Sequence, residues 1–242
     1  MDFTSEKRLD DGVLERGFTL GEIQGTLWTP TSAPAPLILV GHPGGLRQMH
    51  PRLAGRALDA AAYGFASVAI ELPGSGDRPR SAAAERARAD LRRALKAGEP
   101  VDAIVLPLVE KAVPEWQATL DAVLPLPEIC GPVGISGGVI AIGIRLAVVE
   151  PRIAAGLLFA GSFVPRTMFE EARRVTIPLH VLLQWDDEGN DRQMALDLFD
   201  AFGSKEKTLH ANMGGHTGVP SFEQDAASRF FARHLSQRAP SP

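Results

Sequence analysis

Residues Gly134-Ile135-Ser136-Gly137-Gly138 carry the spacing G-x-S-x-G, which suits nucleophilic catalysis when it joins a strand to a helix. Small neighbours let strand and helix approach closely, so the serine is expected in a strained turn. There its hydroxyl would be exposed at a helix N-terminus, where free N–H groups favour negative charge. A serine hydroxyl needs a general base, and the base needs an orienting acid. Downstream stand Asp186-Asp187 and then Gly214-Gly215-His216. Neighbours at a strand end point to opposite sides, so only one aspartate can face His216. Asp187 is the preferred acid and Asp186 the alternative, as a solvated residue or a loop cap.

The surrounding sequence supplies elements to hold these groups. Short β-rich runs alternate with helical patterns, as in a mostly parallel sheet covered on both faces. Residues 13–29 read as an antiparallel hairpin. Leu37-Ile38-Leu39-Val40, Phe65–Leu72, Pro132–Ile135, Ile153–Ala160, His180–Gln184 and Thr208–Ala211 read as strands. Ser136 then follows one strand, Asp186-Asp187 another and His216 the last. Helices are expected from Pro51 to Gly64, over Pro114–Val123, over Gly138–Val149, around Ala195–Phe202, and after Ser221, where Gln224 completes a capping box. Gly138–Val149 is apolar nearly all round and therefore buried. Between Asp77 and Pro107 only Ala84, Ala87, Leu91 and Leu95 form an apolar stripe, so 77–112 reads as a possible lid-like insertion within one domain spanning 1–242.

On these residues the sequence resembles the α/β-hydrolase superfamily over essentially its whole length, most of all small serine esterases of the dienelactone-hydrolase-like branch. The order Ser136, Asp187, His216 is that family's triad order. His42-Pro43-Gly44-Gly45 resembles its oxyanion loop. Pro43 has no N–H, so Gly44 becomes the expected donor beside the N–H of Gly137. Pro73-Gly74-Ser75-Gly76 resembles the family's turn after the next strand. Two departures matter. A Glu188-Gly189-Asn190-Asp191 stretch replaces the hydrophobic-Pro pair frequent after the acid. Serine also stands where dienelactone hydrolases proper carry cysteine, so dienelactone is not carried over as substrate, and Cys130 reads as a structural thiol.

The resemblance implies an α/β-hydrolase fold without a large cap domain. It also implies cleavage of a small carboxylic ester through an acyl-enzyme. Ser136 attacks, His216 moves the proton, Asp187 holds the imidazole, and Gly44 and Gly137 bind the oxyanion. No metal or organic cofactor is required. His42, Met49 and Phe163 are expected near the substrate, although a histidine in the position of His42 more often holds its own loop by hydrogen bonds. Glu71 could tune the pocket or cap the turn beside it. A thioesterase, acyltransferase or cyclase would use the same triad, and a binding protein could reuse the scaffold.

Composition narrows the classes. At 45% hydrophobic and 22% charged residues, the 242-residue chain has apolar surface enough for a real core, which excludes wholesale disorder. A net charge of −4 argues against nucleic acid as partner. The arginines of 78–93 are interleaved with acids and read as a solvated face. The single cysteine precludes an internal disulfide, and no Cys/His cluster has zinc-ligand spacing along the chain. The longest apolar stretch, 139–149, is too short to span a bilayer, and the first twenty residues carry no leader-like apolar run. A cytoplasmic protein acting on a small molecule is expected.

Overall fold

The computed structural model describes residues 1–9, 11–76, 78, 102–161 and 164–236. Nine strands form one sheet: β1 (Asp2–Arg8), β2 (Leu14–Leu20), β3 (Ile23–Thr29), β4 (Ala35–Gly41), β5 (Ala66–Ile70), β6 (Ile129–Gly137), β7 (Ile153–Phe159), β8 (Leu179–Gln184) and β9 (Lys207–Asn212). Their spatial order is β1-β2-β3-β5-β4-β6-β7-β8-β9. The pairs from β1 through β3 to β5 are antiparallel, and the remaining pairs are parallel. The four central residues of β4 are fully apolar and buried, as a strand covered on both faces requires. β1 escaped the sequence reading because DFTSEKR lies wholly exposed at the sheet edge, where charged residues discourage pairing with another chain.

Among the described residues six helices cover the sheet: α1 (Leu46–Ala62), α2 (Asp102–Val123), α3 (Ile140–Val149), α4 (Met168–Ala172), α5 (Arg192–Ala201) and α6 (Phe222–Leu235). Leu53, Ala57 and Ala60 of α1 pack with Phe231 and Leu235 of α6 on one face. The opposite, larger core takes residues of α2, α3, α4 and α5. Burial of each large apolar side chain contributes about 1.5–3 kcal/mol.

Helix α2 corrects the sequence expectation. Residues 102–112 are not part of a lid-like insertion but the first half of a core helix, continuous through Pro107 and Pro114. Val105, Val109, Ala112, Val113, Trp116, Leu120 and Val123 repeat at helical spacing and are all buried. Residues 77 and 79–101, and with them most of the arginine-rich segment, lie outside the described residues. The capping box is also corrected. Ser221 has helical angles (φ −61°, ψ −30°) and its side chain makes no cap bond. Phe222 is exposed, whereas Glu223, Ser228, Phe231 and Leu235 face inward.

The two central parallel strands, β4 and β6, lead onward in opposite directions across the sheet. In such open sheets the crevice beyond the carboxyl ends of the strands is where ligands bind. Ser136, Asp187 and His216 sit at or beyond those ends. No helix among the described residues is long and apolar enough to cross a membrane.

Candidate active site

Beyond β8 the chain turns at Trp185-Asp186-Asp187, and beyond β9 it enters the loop that carries His216. Asp187 Oδ2 lies 2.7 Å from His216 Nδ1. The carboxylate is nearly buried, with 7% of its side chain exposed, while 66% of the His216 side chain is exposed. Phe159 sets its ring edge-on to the imidazole, centroids 5.6 Å apart. A carboxylate on Nδ1 fixes the proton there and leaves Nε2 as the basic nitrogen. Asp186 turns elsewhere: its Oδ2 accepts the Gly214 N–H at 3.1 Å and so braces the same loop.

Ser136 does not occupy the turn. It pairs with Val40 inside the β4–β6 ladder, with 8% of its surface exposed. Left-handed conformations fall on Gly137 (φ 70°) and Gly138 (φ 82°), and no non-glycine residue among those described has positive φ. Helix α3 begins only at Ile140. The expected exposed serine at a strained elbow is therefore corrected. Two consecutive glycines take the left-handed region without a Cβ penalty, so the chain turns one residue beyond the serine. The approach there is close: a Cβ on Gly138 would lie 2.7 Å from Gly41 Cα.

The Ser136 hydroxyl is instead held by Arg56, on the core-facing side of α1. Arg56 Nη2 donates to Ser136 Oγ at 2.7 Å and to the Ser136 carbonyl at 2.9 Å, and Nη1 donates to the Gly41 carbonyl at 3.1 Å. Burial, with Arg52 nearby, pushes the guanidinium down to about 10, still charged at neutral pH. Ser136 and Arg56 border a cavity of about 70 Å³ with Ile38, Val40, Phe65 and Phe231. That space suits water better than a substrate. Asp187 lines a different and open cleft of about 610 Å³ with Trp185, Asp186, Asn190 and Arg192.

The remaining expected residues separate into walls and anchors. His42 is buried, and its Nε2 donates to the Ile70 carbonyl at 2.9 Å, so it fastens its own loop to β5. Burial, the largest influence, pushes its imidazole below the ordinary value. Glu71 caps: its Oε2 accepts the Leu46 N–H at 2.8 Å at the start of α1, and its Oε1 accepts the Ser75 hydroxyl. Gly44 lies against Met49, whose Cγ would be 3.2 Å from an added Cβ. Cys130 is half-buried. Phe163 lies outside the described residues.

No protein-family model matches this chain, and no curated protein matches it. Solved structures do. The PEG-bound complex of a cold-adapted esterase from an Arctic intertidal metagenomic library is 26% identical, covers 97% of this chain and 100% of its own, and superposes with a TM-score of 0.75. Dienelactone hydrolase from Anabaena variabilis is 18% identical over 96% of this chain and 98% of its own, with a TM-score of 0.62. Acetyl xylan esterase 1 from Thermoanaerobacterium is 15% identical over 96% of this chain and 88% of its own, with a TM-score of 0.64. The chain has the α/β-hydrolase fold. Its structural neighbours are esterases and other hydrolases of ester bonds, and the likeness spans the whole sheet.

Within this fold the sequence reading missed Arg56. A signal was present, because Leu53, Arg56, Ala57 and Ala60 fall at helical spacing on the buried stripe of α1. A charge placed there needs fixed acceptors, and the ends of β4 and β6 supply them.

Proposed function

We propose that the chain hydrolyses a small carboxylic ester, with His216 as general base, Asp187 as its orienting acid and Ser136 as nucleophile. The observation that carries this reading is the 2.7 Å Asp187–His216 contact at the carboxyl end of the sheet, on a fold shared with esterases. Asp187 holds the imidazole in one tautomer and stabilises the imidazolium formed when Nε2 takes a proton. The N–H groups of Gly44 and Gly137 are assigned to the developing oxyanion. Met213, Val219 and Phe222, exposed on and beside the His216 loop, offer apolar surface to the acyl part.

For Ser136 to attack, Oγ must leave Arg56 and the left-handed conformation must pass from Gly137 back to Ser136. That costs a non-glycine residue about 1–2 kcal/mol, small beside the barrier of the reaction. The hold of Arg56 on Ser136 favours a second reading, in which His216 draws a proton from water and water attacks the ester directly.

Fluorophosphonate labelling read by intact mass separates the two, alongside hydrolysis of short-chain esters and thioesters by wild type, Ser136→Ala and His216→Ala. The expected result is one adduct on wild type, none on Ser136→Ala and far slower labelling of His216→Ala. Ester hydrolysis that survives in Ser136→Ala and is lost in His216→Ala establishes attack by water. Absence of both adduct and hydrolysis with the folded wild type overturns the ester-hydrolase reading.

A further inference from the structure

A second group of ligating side chains meets where β8, β9 and α6 touch, apart from the Asp187–His216 pair. His180 lies near the start of β8, His210 on β9 and Glu223 in the first turn of α6. One ligating atom from each lies within 4.8 Å of the others. Glu223 Oε2 is 3.0 Å from His210 Nδ1 and 3.5 Å from His180 Nε2. Bonds of about 2.0–2.2 Å to a tetrahedral zinc set neighbouring ligand atoms about 3.3–3.6 Å apart. These spacings resemble adjacent corners of a coordination shell.

A hydrogen bond accounts for His210 against Glu223, but His180 is left over. Its side chain is 5% exposed, and Nε2 has no hydrogen-bond partner. Thr208 Oγ1 lies 3.4 Å from Nδ1 and can receive the ring proton there. In that tautomer the Nε2 lone pair and the Glu223 carboxylate face each other at 3.5 Å, and a cation between them satisfies both. The surroundings also orient the ligands, as outer partners do around bound metals. Asn212 Nδ2 donates to Glu223 Oε1 at 3.0 Å, which leaves Oε2 for the histidines. Burial pushes the His180 imidazole down, towards the neutral form a metal requires. Burial also pushes Glu223 up, but the bonds from His210 and Asn212 outweigh it and keep it ionised.

We propose that His180, His210 and Glu223 bind one divalent first-row metal ion, zinc foremost, as a structural clamp joining β8, β9 and α6. On binding, the His210 proton passes from Nδ1 to Nε2, on a side chain 40% exposed, and water fills the fourth position. The clamp has a place in the architecture, because His210 and Glu223 bracket the segment 211–222 that carries His216. Metal binding fixes both ends of that segment without entering the reaction.

The test is titration of the metal-stripped full chain with zinc alone by calorimetry and with cobalt by visible absorption. One equivalent is expected, with the d–d bands of a four- or five-coordinate cobalt and a rise in melting temperature. His180→Phe and Glu223→Gln should each weaken affinity about tenfold or more, with circular dichroism unchanged. His210→Asn replaces either variant that fails to fold. Absence of saturable binding by the folded wild type overturns the proposal. So does affinity unchanged in the variants, or binding lost in His216→Ala and kept in the other three.

Discussion

The carboxyl ends of β8 and β9, at one edge of the sheet, and those of β4 and β6, at its centre, prepare their side chains differently. At the first, Asp187 and His216 already meet at 2.7 Å with the imidazole open to solvent. At the second, Ser136 is buried and its hydroxyl is occupied by Arg56. Backbone freedom explains the contrast. His216 stands on a loop, where a carboxylate on Nδ1 and the Asp186 brace at Gly214 suffice to aim the ring. Ser136 stands inside a ladder, and its side-chain direction follows the strand until the chain breaks at the glycine pair. Under the proposed function the acid–base half is therefore organised in advance, and the nucleophilic half has to be released.

The largest expected effect lies on the organised side. Asp187→Asn preserves the shape but lets the imidazole adopt the wrong tautomer, and the kcat for ester hydrolysis should fall about 10⁴-fold. Asp186→Asn touches only the bond to Gly214, worth about 1 kcal/mol of stability, so its kcat should stay within severalfold of wild type. Steady-state kinetics on the two variants, with melting temperatures as control, make the measurement. Equal losses in both would break the contrast between pair and brace.

How much of this was legible follows the same physics. The parallel order and the antiparallel hairpin at 13–29 follow from apolar runs, and the structure has both. Strand-end alternation says only that one of Asp186 and Asp187 can face His216, and the contact falls to Asp187. The position of the turn does not follow, because G-x-S-x-G fits a break at Ser136 or at Gly137 equally well. Only the close approach of Gly41 to Gly138, between strands distant in sequence, distinguishes them. Pro107 and Pro114 suggested breaks, yet the apolar repeat from Val105 to Val123 carries α2 through both. Glu223 carries no ligand signal along the chain, because the β8 and β9 histidines come beside it only in the fold.

A smaller effect sharpens the reserved side. Arg56→Met should leave the Gly41 and Ser136 carbonyls without their charged donor and destabilise the fold by about 2–4 kcal/mol in urea denaturation. If the guanidinium restrains Ser136, fluorophosphonate labelling per folded molecule should accelerate. Slower labelling would mean that Arg56 prepares the hydroxyl instead of holding it back. Arg56→Lys keeps the charge but cannot span all three acceptors, and should fall between wild type and Arg56→Met in both measurements.

The smallest effect concerns the loop that follows β4. His42 is buried, donates to the Ile70 carbonyl and has its imidazole pushed down, chiefly by burial. An imidazole lowered in the folded state binds fewer protons there than in the unfolded chain. Its stabilising contribution is therefore complete above the ordinary histidine value of about 6.5 and is lost as pH falls below it, until the folded value is reached. The slope cannot exceed about 1.4 kcal/mol per pH unit for this one group. Urea unfolding of wild type and His42→Gln between neutral and mildly acidic pH isolates it. His42→Gln keeps a donor for Ile70 and should be less stable at neutral pH. The difference between the two proteins should narrow in acid, as the wild type alone loses the His42 contribution. A difference constant across that range would show that the buried ring does not resist protonation, and that this loop is fastened by its hydrogen bond alone.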